Sequence, residues 1–175
     1  MLRIRICRFT AALAFLGVLA CNDSATTSGP ERPVGLKPSF TVSSGVTNTA
    51  IARGNLGAVH LQSKFGQYTI ELKAQDDTDV EVRSAVFVPG GFSGWHTHPG
   101  PVILAVSAGA FTVYDASDPA CQPKVYPAGT AFIEGTTVHN VRNEGTVNAE
   151  AGLLFFIPAG GLRRIEADAP ANCPP

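Results

Sequence analysis

Along most of this chain apolar and polar residues alternate at a period of two, not at the three-to-four spacing of a helix. Tyr68 to Lys73 alternates throughout, and Val80 to Val88 carries β-branched residues at period two, in Val80, Val82, Val86 and Val88. Val102 to Val106, Ala110 to Tyr114, Thr130 to Ile133, Val138 to Val141 and Ala149 to Ile157 are further short apolar runs. Glycine and proline punctuate the gaps, as in Pro89-Gly90-Gly91, Pro99-Gly100-Pro101, Pro127-Ala128-Gly129 and Pro158-Ala159-Gly160-Gly161. No segment of a dozen residues keeps a helical period. Many short strands at regular spacing predict an all-β sandwich or barrel, in which closure or double-sheet packing removes exposed edges.

The first twenty residues break this pattern. Arg3, Arg5 and Arg8 make a basic start, and Phe9 to Ala20 is almost wholly apolar with no acid. That is the pattern of a secretory signal peptide over residues 1–20, too short to span a bilayer comfortably. The junction Val18-Leu19-Ala20-Cys21 resembles a bacterial lipobox, which implies lipidation at Cys21 and attachment to the cell envelope. The alternative is a plain signal peptide and a soluble periplasmic or secreted protein. Residues 21–39, rich in Ser, Thr, Gly and Pro, suit a flexible tether. The rest, residues 40–175, has the size of one ordinary domain able to bury a core.

Without the leader, 10 basic and 14 acidic residues remain, a formal charge of −4. A mildly acidic domain carries no electrostatic footprint for nucleic acid or for an anionic membrane, so membrane attachment is expected only through the lipid. Of the four cysteines, Cys7 falls in the leader and Cys21 at its junction. In an oxidising compartment the two left over, Cys121 and Cys173, are expected to pair and so tie a barrel loop to the C-terminus.

Metal chemistry enters with Trp95-His96-Thr97-His98. Histidines two apart on a strand point to one face, so both imidazoles can reach one ion. They follow a glycine turn and precede a proline turn, which places them at a strand mouth. His139 lies about forty residues on, in a run from Thr136 to Asn143, and a closed barrel would bring it beside the pair. His60 lies on a different strand and reads as a surface or barrel-wall histidine. Glu134, five residues before His139, is expected to be solvated and is left outside the ligand set.

These residues resemble the two motifs of the cupin superfamily. The first is Gly, five residues, His-x-His, Glu and Gly. Gly90, His96, His98 and Gly109 fill it at the right spacing, with Val102 where the family's glutamate ligand stands. Gly129, His139 and Asn143 fit the second, with Glu134 and Thr136 replacing its proline and glycine. The match covers Ala85 to Pro158, the motif core of residues 85–158. It implies a double-stranded β-helix (jelly-roll) barrel in which His96, His98 and His139 bind a divalent metal: iron, manganese, nickel, copper or zinc. It also implies that Asn143 fixes the backbone after His139, and that two copies pair as a homodimer through outer strands, although no residue here demands it.

Cupins share shape more than activity, so function stays open at this level. One reading is a metal-binding envelope protein that holds a small molecule at a three-histidine centre. The alternative is a metal-dependent dioxygenase, or another small-molecule cupin enzyme, using the same site. A third is a structural barrel whose histidines carry no metal. Phe111, Tyr114, Phe132 and Phe155 serve equally as pocket wall or plain core.

Overall fold

The computed structural model describes residues 40–173. The leader, Cys21 and the tether lie outside the described residues. The described residues form ten strands: β1 (Ser44–Phe65), β2 (Tyr68–Phe92), β3 (His96–Thr97), β4 (Val102–Ala108), β5 (Ala110–Asp115), β6 (Lys124–Pro127), β7 (Ala131–Glu134), β8 (His139–Arg142), β9 (Ala149–Pro158) and β10 (Ile165–Glu166). Every pairing is antiparallel, in the order β10-β3-β8-β2-β9-β4-β7, with β1 added to β2, and β5 bridging β8 and β6. The sheet curls into a nearly closed double-stranded β-helix. No helix among the described residues is long and apolar enough to cross a membrane.

Period-two patterning decides which side chains enter the barrel. Ala85 and Phe87 of β2, Val102, Leu104 and Val106 of β4, and Ala149, Ala151, Leu153, Phe155 and Ile157 of β9 all point inward and form one core with Phe111, Phe132 and Val141. A second cluster of Trp95, Tyr114 and Cys121 closes one flank, where the disulfide from Cys121 to Cys173 pins the chain's end. That bridge joins residues 52 apart in sequence, a loop long enough for the cross-link to contribute about 2–4 kcal/mol by restricting the unfolded chain.

Two runs that read separately in the sequence, Tyr68–Lys73 and Val80–Val88, are one 25-residue strand. The acidic stretch between them does not turn, because β1 pairs alongside it from Ser44 to Phe65 and absorbs mismatches in bulges near Ala50, Asn55 and Gly57. The hairpin closes at Gly66-Gln67, where Gly66 takes φ +60° without the strain a β-carbon would bring.

Asp79 ties three elements together. Its carboxylate accepts from Arg53 (2.7 and 3.1 Å) and Asn55 (3.1 Å) on β1 and from the Gly160 amide (3.0 Å) beyond β9. The Gly160 amide foremost, then Arg53 and Asn55, lower its pKa from 3.8 to about 2. A depressed carboxyl stabilises the fold above its unfolded value and loses that contribution as pH falls through the folded one. Asp79→Asn is therefore expected to lower the melting temperature at neutral pH and to flatten the acid limb between about pH 4 and pH 2. Thermal melts across that range check it, and an acid limb as steep as the parent's would contradict it.

Candidate metal centre

Each histidine is positioned by the sheet. β3 pairs with β8 through His96 opposite His139, and directly opposed residues project to the same side. His98 follows two residues after His96, its backbone N–H donating to the Gly135 carbonyl at 3.3 Å. Gly94 makes the approach to β3 close: at φ +72°, a β-carbon there would lie 1.8 Å from the Thr41 carbonyl oxygen. The three imidazoles converge with ring centroids 4.4 to 5.2 Å apart, and all three residues are at most 4% exposed.

Their orientation is set from behind. His96 Nδ1 donates to the Gly94 carbonyl (2.9 Å), His98 Nδ1 to the Arg163 carbonyl (2.6 Å) and His139 Nδ1 to the Thr137 carbonyl (2.8 Å). A carbonyl only accepts, so each Nδ1 carries hydrogen and each Nε2 is left for the centre. A hydrogen bond from the far ring nitrogen in this way fixes tautomer and aim in histidine ligands.

Glu134 overturns the expectation of a solvated loop residue. It ends β7, is 7% exposed, and lies opposite Val102 in the β4–β7 register. The carboxylate that the first motif would place at position 102 thus reaches the same face from the adjacent strand. A usable signal was there: inward Phe132, outward Ile133 and inward Glu134 continue the alternation by one residue. Glu134 Oε2 lies 3.2 Å from His98 Nε2 and 3.5 Å from His139 Nε2. One donor atom from each of His96, His98, Glu134 and His139 falls within 4.8 Å of the other three.

Burying a carboxylate is costly unless charge or hydrogen bonds compensate it. Burial works to raise the Glu134 pKa, but the facing His139 and His98 overcome it and hold the carboxyl well below its ordinary range. Burial likewise opposes charge on His139, where the Glu134 carboxylate wins and raises the pKa. His96 is pushed well below its usual value, by burial first and then by the charges of His139 and Arg164. The Glu134 carboxylate thus favours the charged form of His139 and not that of His96. Glu134 Oε1 and His139 Nε2 are buried with no hydrogen-bond partner. Nitrogen and oxygen donors oriented this way fit a divalent cation.

The other residues singled out in the sequence separate from this centre. His60 is exposed and bonds Glu71 at 2.9 Å on the outer hairpin. Asn143, 1% exposed, donates to the Phe87 and Val147 carbonyls and accepts from Gly145 N–H, fixing the turn after β8. Phe111 and Phe155 line a cavity of about 170 Å³ that opens on His96, His98 and Glu134, whereas Phe132 and Tyr114 pack in the core clusters away from it. Sequence reasoning missed Arg163 and Arg164, which stand at the same cavity.

A small antiparallel double-stranded β-helix with a buried metal-type cluster on its inner face is the class of protein defined here. Gly90, His96, His98 and Gly109, then Gly129, His139 and Asn143, thus stand at the spacing of the two cupin motifs, on a barrel of the kind that the resemblance implies. Similar solved structures include an oxalate oxidase, 26% identical over 45% of this chain and 42% of that one with a TM-score of 0.38. A protein with a double-stranded β-helix domain from Klebsiella pneumoniae is 20% identical (51% and 76% covered, TM-score 0.43). A cupin superfamily protein from Desulfitobacterium hafniense is 13% identical (64% and 77% covered, TM-score 0.41). The chain spans 42% of the length of the oxalate oxidase it matches. No family model and no curated protein sequence matches it.

Replacing Glu134 by Gln, or any of the three histidines by Ala, is expected to weaken metal binding by at least about 10- to 100-fold, the scale already seen for loss of supporting contacts. Titration with a competing chelator reads this, with circular dichroism to confirm the barrel. Parent-like affinity in Glu134→Gln would remove Glu134 from the ligand set.

Proposed function

We propose that this chain is an exported envelope protein that holds a divalent metal through His96, His98, His139 and Glu134 and binds a small anionic molecule beside it. The observation that carries this reading is the pair of buried, unpartnered donors, Glu134 Oε1 and His139 Nε2, facing imidazoles whose tautomers are already set. Iron, manganese, nickel, copper and zinc all accept such donors, and the bound ion would supply Lewis acidity. Export and anchoring at Cys21 follow from the leader, and the Cys121–Cys173 bridge agrees with an oxidising compartment.

The preference for an anion comes from the chain's own residues. Phe87, Leu104, Phe111, Leu153 and Phe155 give the cavity an apolar side, while Arg163 and Arg164 stand at the same space. Arg164 is engaged by Glu166 (2.6 and 2.8 Å) and the Ser93 carbonyl (2.7 Å). Among the described residues no carboxylate pairs with the Arg163 guanidinium. Burial, then the neighbouring charges of Arg83 and Arg164, lower its pKa, a penalty an anionic ligand would relieve. A divalent ion with one carboxylate leaves one positive charge, and Arg163 adds a second. A cavity of about 170 Å³ limits the ligand to a short carboxylate.

The purified chain, kept free of chelator, is expected to carry close to one metal ion per molecule and to bind short carboxylates in calorimetric titration in preference to their neutral amides. Arg163→Gln should weaken that binding about tenfold or more while leaving metal content unchanged. No metal even after reconstitution, or equal binding of acid and amide, would contradict the proposal. Oxygen uptake with catechol-like or diketone-like compounds would move the reading to a metal-dependent dioxygenase.

A further inference from the structure

After β9 the chain runs back past the metal centre before it ends. The start of this segment is held where the Gly160 amide donates to Asp79 (3.0 Å) and Arg53 donates to the Gly161 carbonyl (3.2 Å). Its end is held by the disulfide from Cys173 to Cys121, on the loop between β5 and β6.

Between those two points lie residues that the centre uses. The Arg163 carbonyl accepts from His98 Nδ1 at 2.6 Å, and Arg163 and Arg164 both line the cavity. Arg164 donates to the Ser93 carbonyl (2.7 Å), Glu166 lies opposite His96 in the β10–β3 register, and the Ala167 amide donates to the Trp95 carbonyl (3.1 Å). The aim of one imidazole and the place of two cavity arginines therefore depend on where this segment lies.

Its noncovalent hold is slight. β10 is two residues long and stands at the end of the sheet, paired with β3 alone. Leu162 and Ile165 are 77% and 47% exposed, so apolar burial adds little. Beyond β10 the segment meets the fold through the Phe40–Asp168 bridge, through Ala169 against the Trp95–Cys121 cluster, and through Asn172, which donates to the Asp118 and Pro119 carbonyls at 3.2 and 3.3 Å. A chain end with so few contacts frays unless something ties it down, and here the tie is covalent. The bond also sits close to the ligands: Trp95, directly before His96, packs in the cluster that holds both cysteines.

We propose that the Cys121–Cys173 bond is a redox clasp on the metal centre. An external dithiol opens it: the S–S bond breaks and takes up two electrons and two protons to give two thiols, while the dithiol closes to its own disulfide. The segment from Arg163 to Cys173 then frays, His98 loses the carbonyl that aims it, and the cavity loses both arginines. The centre holds metal tightly in an oxidising compartment and weakly in a reducing one, a consequence that rests on the metal-binding reading given above. The test uses the full chain in detergent, loaded with zinc and titrated with a competing chelator. It is measured oxidised, after reduction by a dithiol that is then removed without air, and as the Cys121→Ser/Cys173→Ser variant, which lacks both the clasp and its thiols. Reduction and the double substitution are each expected to weaken zinc binding about 10- to 100-fold, and reoxidation to restore the parent alone. Hydrogen exchange on the metal-free samples gives the second readout. Without the bond, amides of residues 163–173 should exchange at least about tenfold faster, while those of the β2–β9 ladder keep their protection. An oxidised parent that binds no zinc would overturn the reading of the centre and this proposal with it. Zinc binding unchanged by reduction, a segment that stays protected, or loss of protection that spreads to the β2–β9 ladder would each overturn this proposal alone.

Discussion

The arrangement of the inner face turns on one charged group, the carboxylate of Glu134 held among three imidazoles with almost no access to water. A charge in that position is tolerated only where neighbours supply the hydrogen bonds and opposite charge that water would otherwise give. The imidazoles do so, and in return the carboxylate shifts their protonation: His139 is held toward its charged form while burial and like charge keep His96 neutral. Metal binding at such residues competes with protons, because a ligating imidazole must be neutral and a ligating carboxyl ionised.

Sheet register makes that juxtaposition obligatory. His96 faces His139 across β3–β8, and Glu134 faces Val102 across β4–β7. Slipping either strand by one residue would turn the ligand outward along with the core residues beside it. Core packing and site geometry are therefore one constraint: the apolar alternation that seats Phe132, Leu104 and Phe155 inside the barrel also aims the polar group. Backbone carbonyls at Gly94, Thr137 and Arg163 finish the positioning, so the C-terminal segment bearing Arg163 is a working part of the centre.

Most of the fold was legible from period two alone, because a strand buried on one face must alternate, and the turns carry the glycines and prolines such turns need. The histidine pair was legible for the same reason, and His139 through its motif spacing. Glu134 was legible only in part: alternation from Phe132 pointed it inward, but its place among the histidines depends on pairing with Val102 across β4–β7, which the local sequence does not reveal. Arg163 escaped for a similar reason: it acts on His98 through a backbone carbonyl, which leaves no trace in residue type. The outer hairpin shows the converse. Its alternation from Tyr68 to Lys73 was plain, but a pattern cannot tell whether the face it predicts is covered by the same chain or by another.

Anomalous diffraction at a metal's absorption edge, on crystals of the chain loaded with that metal, tests the central claim most directly. The account predicts one peak inside the barrel, bonded to Nε2 of His96, His98 and His139 and to a Glu134 carboxylate oxygen, at about 2.0–2.2 Å if the metal is zinc. A peak elsewhere on the protein, or one at the histidines with Glu134 turned away, would contradict it.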